Sequence, residues 1–378
     1  MKKHFWFLLF LIILGLFTMK TLKGPDFFDG HDSQAHIIRL YQYGLAFKDG
    51  QIPPRWAGGL LAGRGYPVFI FAYPLPYAIA EGFHQLGLNL AQSLKLVFAL
   101  SYLLSSVFMY FFATQYWRSR WAGFLSAVLW SWAPPIFEKI FIAAALGEVA
   151  SFAFIPLTFL CLYNLIQKPN LKNSLFLSLS LVLWSLSHPL TPIIFSPLIV
   201  IFTLFQLSQT KKIKLALKYL TISGLFILGL TAWFFIPLIA ELKFTHFSQF
   251  IQAKYQGQFV SLKRLLYSKW GTDAPGYGDN PVSQQVGIAQ WLAIGLAGLS
   301  WLKTKKTSVL PFLLTFVLSI FLMLSISEPV WALPTPLQNI GTPWRFLSLS
   351  VFTAAISAGF LVKKIKNKYL LITVYCLL

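Results

Sequence analysis

Pro67-Val68-Phe69-Ile70-Phe71-Ala72-Tyr73-Pro74-Leu75-Pro76-Tyr77-Ala78-Ile79-Ala80-Glu81-Gly82-Phe83-His84-Gln85-Leu86-Gly87 is the stretch on which the fold turns. It is about as long as the ~20 apolar residues that carry a helix across a bilayer. If it crosses, every later loop changes side. Arg118, Arg120 and the lysine clusters at 211–218, 303–306 and 363–368 then fall outside, against the rule that cations stay in the cytoplasm. If it does not cross, the pattern is clean. The inner segments then hold Lys2, Lys3, Arg118, Arg120, Lys168, Lys172, four lysines in 211–218, three in 303–306 and four in 363–368. Together these are 17 of the 31 basic residues, and none of the 11 acidic ones joins them. Pro67, Pro74 and Pro76 each remove a backbone donor and break a straight span. The stretch is therefore expected as one or two short helices on or in the outer leaflet.

The rest of the chain supplies the membrane context. It is 57% hydrophobic and 11% charged, far from a soluble balance. Long apolar runs in hydrocarbon satisfy their backbone only as helices, and the alternating ten-residue segments of a membrane barrel are missing. The fold class is an all-α, polytopic transmembrane bundle. The expected spans are 5–22, 94–116, 121–134, 149–166, 172–187, 189–208, 216–240, 287–302, 307–326, 343–362 and 369 onward, about 11 in one domain covering 1–378. Outer loops of size are expected at 23–93 and 241–286, with smaller ones at 135–148, 188 and 327–342. The apolar run at Tyr369–Leu378 reads as a truncated span. Lys2-Lys3 before Phe5–Met19 resembles a signal peptide, but no small-x-small cleavage site follows, so it reads as an uncleaved first helix. The net charge of +20 marks cytoplasmic loops rather than a nucleic-acid partner. Cys161 and Cys376 both fall in apolar spans and read as packing residues.

Polarity concentrates after the first span, in Asp26-Phe27-Phe28-Asp29-Gly30-His31-Asp32-Ser33-Gln34-Ala35-His36-Ile37-Ile38-Arg39. Asp29, Asp32, His36 and Arg39 are spaced i, i+3, i+7, i+10, which places them along one face if the segment is helical. Such a face could carry a general base, a divalent cation on carboxylate and imidazole, or an anion on Arg39. It could also be the wet side of a surface helix with an aspartate N-cap. Arg55, in Pro54-Arg55-Trp56, and Arg64 could grip a headgroup phosphate or simply snorkel. Glu148 begins a span at Leu146-Gly147-Glu148. It serves either the helix dipole or chemistry at membrane depth. His188 and Arg345 also emerge on the outer side. There Arg345 either holds a lipid phosphate or anchors the interface. The loop with His246, Lys263-Arg264 and Trp270 either lines a cleft for a sugar or isoprenoid or rests as a lid on lipid. Charge-derived topology thus sends Asp32, His36, Glu148, His188 and Arg345 to one face of the membrane.

Taken together, Asp29–Arg39, Pro54-Arg55-Trp56, Gly65-Tyr66-Pro67, Tyr73-Pro74-Leu75-Pro76, Gly147-Glu148 and Pro343-Trp344-Arg345-Phe346-Leu347 resemble a known pattern. It is that of the membrane proteins labelled 6-pyruvoyl-tetrahydropterin synthase-related, and more broadly of the GT-C class of integral-membrane glycosyltransferases. The label implies no pterin chemistry here, since the six histidines lack the clustered spacing of a three-histidine zinc site. The GT-C resemblance implies sugar transfer from a polyprenyl-phosphate donor to a glycan, lipid or protein acceptor at the extracytoplasmic face of the plasma membrane. It implies Asp32, with Asp29, His36 and Glu148, as catalytic carboxylates and their neighbours. Arg345, Arg55 and Arg39 would be donor-phosphate partners, and His188, His246 and Tyr73 would line the substrate cleft. A divalent cation (Mg or Mn) on Asp29, Asp32 and His36 would fit the class, although the spacing here is Asp-x-x-Asp rather than a compact pair. The rival readings are a transporter or flippase of a lipid-linked glycan and a non-catalytic assembly partner. A transporter needs polar residues at mid-membrane, and these spans hold almost none.

Overall fold

A computed structural model describes residues 3–246, 255–273, 278–333 and 335–362. Among these, regular structure is helical, and pairing of extended backbone is limited to isolated bridges at Ala57–Tyr66 and Asp273–Pro281. The helices are α1 (Phe5–Thr18), α2 (Ser33–Lys48), α3 (Val68–Phe71), α4 (Pro74–Gln85), α5 (Leu90–Trp117), α6 (Arg120–Ser131), α7 (Pro134–Phe137) and α8 (Leu146–Gln167). They continue as α9 (Leu171–Ser187), α10 (Leu190–Gln209), α11 (Ile213–Leu242), α12 (Leu262–Leu266), α13 (Ile288–Thr304), α14 (Leu310–Met323), α15 (Glu328–Trp331) and α16 (Leu347–Val362).

Local sequence sets the helix ends. Asn89 and Gln92 form a reciprocal capping box at the start of α5, with bonds of 2.8 and 3.1 Å. Ser119 and Asn170 cap α6 and α9. Arg118 and Lys305 take left-handed conformations that stop α5 and α13. The stretch 67–87 forms two short helices broken at extended Tyr73, where Pro74 forbids continuation. The longer of them, α4, measures only about 18 Å, too short to cross ~30 Å of hydrocarbon by itself.

Six helical segments are long and apolar enough to cross a membrane: Phe5–Lys23, Leu90–Trp117, Leu146–Gln167, Leu190–Gln209, Ile213–Leu242 and Pro343–Val362. A seventh arises if Thr307–Met323 and Ser325–Trp331, bent by 89°, form one broken span. Helices stand in the other expected spans too, but α6, α9 and α13 are shorter, and 369 onward lies outside the described residues.

The core is aromatic. Phe112, Phe159, Phe202 and Phe352 meet with ring centroids 5.2–6.2 Å apart, and Trp117 donates from Nε1 to the Ile356 carbonyl at 2.8 Å. Helix α16 is buried along nearly its whole length at the centre, against α6, α13 and α14. Ser319–Ser350 and Ser174–Ser223 hydroxyls bond across helix pairs at 2.8 and 2.9 Å, the small polar contacts that let membrane helices pack closely. Helix α11 lies at the edge, with only 17% of its apolar window buried.

The starts of α5, α8, α10 and α16 meet at one end of the bundle, where the polar loops gather. Arg118, Arg120, Lys168, Lys172, Lys211 and Lys212 lie at the other end with their helix termini. Lys95, near the start of α5, bonds the carbonyls of Gly24 and Asp26, the latter at 3.0 Å, and so ties the first loop to the bundle.

Candidate functional site

The site is built on the connection between α7 and α8. Pro134-Pro135 start α7, and the chain then widens into a π-helical turn at Glu138–Ile142, closed by the Ala143 N–H on the Glu138 carbonyl at 2.9 Å. Ala144 takes φ +52, a conformation costly for an L-residue, and redirects the chain into α8. Three successive carbonyls are thereby left to other donors. Ile142 O accepts from the His31 N–H at 2.9 Å, Ala143 O from the Asp32 N–H at 3.1 Å, and Ala144 O from His36 Nε2 at 3.0 Å. Gly30 permits this approach, since a Cβ there would lie 2.9 Å from the Ala144 Cβ and 3.0 Å from the Ile142 carbonyl.

A carbonyl only accepts, so His36 carries its proton on Nε2, and Nδ1 accepts from the Tyr77 hydroxyl at 2.7 Å. Burial, and then the Arg39 charge, push the His36 pKa down to about 4, so the ring is neutral at ordinary pH. Tyr77, buried, is pushed up to about 12 and stays a phenol. Asp32 is the N-cap position of α2 and stays open to solvent on one side. Desolvation by the surrounding protein raises its pKa, with Glu148 adding to the rise and Arg39, His31 and Lys139 opposing it.

Glu148 sits in the first turn of α8. Its Oε1 accepts from Arg345 Nη1 at 2.9 Å, and its Oε2 lies 3.3 Å from Lys139 Nζ. Lys139 also meets Glu138 at 3.4 Å and stands 4.3 Å over the Trp344 ring. Two carboxylates and two cations therefore neutralise one another in a mostly buried site, the condition under which buried charge is tolerated. Arg345 also donates from Nε to Thr342 at 3.2 Å.

Tyr73 closes the cluster. Its ring stacks on Tyr77 (5.7 Å, 7°) and meets His188 at 5.9 Å. Only glycine fits beneath it, since a Cβ on Gly147 would fall 2.5 Å from the ring. His188 is buried, and among the described residues its Nδ1 has no hydrogen-bond partner. Burial lowers its pKa to about 4, opposed by Glu148. Above the cluster, exposed His31 donates from Nε2 to the Thr272 carbonyl at 2.5 Å and so links the first and second large loops.

Of the residues singled out by sequence, the structure gathers Asp32, His36, Arg39, Glu148, His188, Arg345 and Tyr73 at one end of the bundle. Others fall elsewhere. Helix α2 begins only at Ser33, so Asp29 is not on the helix face of Asp32, His36 and Arg39. It lines instead an open groove of about 450 Å³ with Phe27, Phe28 and Ile37. The expected metal set does not form, because both His36 ring nitrogens are bonded within the protein and Asp29 is turned into that groove. Among the described residues no three His, Cys, Asp or Glu side chains gather as ligands. Arg55 donates from Nη2 to the Trp233 carbonyl at 2.9 Å. Pro237, four residues on, has no N–H for that carbonyl, so Arg55 replaces a missing helix bond. His246 is exposed just past α11, where the chain continues into 247–254, outside the described residues.

Sequence reasoning passed over Glu138 and Lys139. The signal was available: a Glu-Lys pair framed by Pro134-Pro135-Ile136-Phe137 and Ile140-Phe141-Ile142 has no wet surroundings on either side. Tyr77 and His31 were likewise unmarked.

Residues 70–378 match the family described as 6-pyruvoyl-tetrahydropterin synthase related domain, membrane protein. An uncharacterized protein of Lactococcus lactis subsp. cremoris (strain MG1363) is 23% identical over 249 residues, 64% of this chain. The match spans 41% of that relative's length. The site residues at 73, 77, 138–148, 188 and 345 all lie inside the family match, whereas Asp32, His36 and Arg39 precede it. With a match over most of its length, this chain belongs to the 6-pyruvoyl-tetrahydropterin synthase related family of membrane proteins.

Proposed function

We propose that the protein is an integral-membrane glycosyltransferase of GT-C type, moving a sugar from a polyprenyl-phosphate donor to an acceptor hydroxyl. In this reading the end that carries Asp32 faces away from the cytoplasm, the N-terminus lies inside, and the plasma membrane is the host. The shorter α6, α9 and α13 count as crossings, which brings the bundle toward the eleven spans expected from sequence. The observation that carries the reading is the placement of Asp32. Its carboxylate is open to solvent, fixed through its own N–H on Ala143, and stands beside a buried, charge-balanced cluster.

The chemistry asks little of the protein. The acceptor oxygen forms a bond to the anomeric carbon as the carbon–oxygen bond to phosphate breaks. The acceptor proton passes to Asp32, and the electron pair leaves on polyprenyl phosphate. A carboxylate whose pKa is raised is the better base, provided that it remains ionised at the working pH. Arg39 lies near Asp32, and Arg345 retains Nη2 without a protein partner among the described residues, so both can face the leaving phosphate. Glu148 is engaged by two cations and acts by aiming Arg345 rather than by taking a proton. The donor set at Asp29, Asp32 and His36 does not suit a metal, because both His36 ring nitrogens are bonded within the protein.

The test is transfer from labelled polyprenyl-phosphate sugars by the purified protein in vesicles. Activity that disappears in Asp32→Asn, with insertion and folding intact, is the expected result. Transfer at the unmodified rate in that variant removes Asp32 from the mechanism, and no transfer from any such donor removes the reaction class.

A further inference from the structure

Arg55 and the outer face of α11 belong to none of the chemistry above. From Ile213 to Trp233 is about 30 Å of helix, the thickness of a bilayer's hydrocarbon. Lys211, Lys212 and Lys214 mark the near boundary, so the Arg55 guanidinium on the Trp233 carbonyl sits at the far one. Only Nη2 is used there, and among the described residues the remaining guanidinium N–H groups have no protein acceptor. Directly along the same helix face lies an apolar groove of about 390 Å³, lined by Ile222, Leu225, Phe226, Gly229 and Leu230. Gly229 hollows it, and a Cβ there would meet nothing within 4 Å. The residues at 222, 226, 229 and 233 fall one helical turn apart, so groove and guanidinium lie on one line.

We propose that this line is a binding site for one anionic bilayer phospholipid, with its phosphate on Arg55 and one chain in the groove at Gly229. A guanidinium with several free donors is matched to a phosphate, and its depth matches the headgroup layer. The groove opens on the helix face that the bundle leaves uncovered, so a lipid enters it from the bilayer without passing through the protein. The site shares no residue with the Asp32 cluster, and the inference stands apart from the glycosyltransfer reading.

Delipidated protein in detergent is titrated with phosphatidylglycerol and with phosphatidylcholine of the same chains, and bound lipid is counted by native mass spectrometry. Phosphatidylglycerol is expected to be retained about fivefold better, the worth of one cation at an anionic headgroup. Arg55→Gln brings the two lipids to parity. Gly229→Leu fills the groove, leaves Arg55 in place and lowers phosphatidylglycerol retention, which keeps the test valid if loss of Arg55 disturbs α11. Equal retention of the two lipids by the unmodified protein, or unchanged preference in both variants, overturns the proposal. So does displacement of phosphatidylglycerol by an equal concentration of a polyprenyl phosphate, because the line then belongs to the donor.

Discussion

Arg345 Nη1 donates to Glu148 Oε1 across 2.9 Å, joining the start of α16 to the start of α8 over 197 residues of chain. The bond sits where two of the most buried helices enter the bundle, with Lys139 closing the other side of the carboxylate. Loss of one member strands the others in a place water scarcely reaches. Glu148→Gln is expected to cost about 3 kcal/mol, the lower part of the range for breaking a buried pair, because Arg345 is partly exposed. Arg345→Met should cost less, since Lys139 still serves Glu148. The double variant should recover part of the loss. Thermal midpoints in one detergent measure this, and strictly additive losses would show that the pair is not a unit.

Asp32 carries opposite consequences for activity and stability. Its pKa is raised, chiefly by desolvation, so the folded protein binds that proton more tightly than the unfolded chain does. Ionisation at neutral pH therefore opposes folding, and the opposition fades as pH falls through the raised value. Asp32→Asn should raise the thermal midpoint at pH 7 while abolishing transfer. The acid limb of the pH–rate profile should stand above the ordinary carboxylate range, and His31→Gln should move it further up. A lower midpoint for Asp32→Asn contradicts the assignment.

The histidines act in the other direction. His36 is held to about 4, whereas an unfolded histidine titrates near 6.5, and His188 is lowered as well. Between these values the unfolded chain binds more protons, so stability is full above about pH 6.5 and declines as pH drops toward 4. His36→Gln should flatten that decline at some loss of stability at pH 7. A decline of unchanged steepness in both His36→Gln and His188→Gln would place the acid sensitivity elsewhere.

Arg55 and Pro237 form a compensating pair. Arg55→Gln should cost about 1.5–3 kcal/mol, as expected for a bond from a charged donor. Pro237→Ala returns an N–H to the Trp233 carbonyl, so the same Arg55 substitution made in that background should cost much less. A double-mutant cycle on thermal midpoints reads the coupling, and a coupling of zero denies the replacement.

Sidedness can be read chemically. Single cysteines at the exposed positions 34 and 86, introduced into a Cys161→Ser, Cys376→Ser background, should label with a membrane-impermeant maleimide in intact cells. Cysteines at 168 and 212 should label only after permeabilisation. Labelling of 168 and 212 in intact cells, with 34 and 86 labelled only after permeabilisation, would reverse the charge-based topology.

Much of this architecture was legible in the chain. Pro74 after Tyr73 announced the break between α3 and α4, and the basic residues at 118–120, 168–172 and 211–212 grouped their helix ends as the structure does. That grouping alone brought Asp32, Glu148, His188 and Arg345 together. The failures share a cause. The reach of α2 depended on where the backbone of 30–32 found acceptors, and those are carbonyls of 142–144, more than a hundred residues away. The periodicity that included Asp29 could not register that. Glu138 and Lys139 differ: their apolar flanks were legible in the chain, but which partners they meet, Glu148 and Trp344, comes only from packing. The phosphate reading of Arg55 left out its second bond, because the grip on α11 required knowing that the carbonyl opposite Pro237 lay within reach.

The three carbonyls of 142–144 and the carboxylate of Glu148 sit on one short run of chain, before and within the first turn of α8. Rotating that helix by a single added residue would swing its side chains by about 100° and part Glu148 from Arg345, while the grip on His31, Asp32 and His36 stayed where it was. The spacing between Ala144 and Glu148 thus acts as a phase setting between Asp32 and Arg345. Descendants of this sequence can exchange side chains here far more readily than they can change its length.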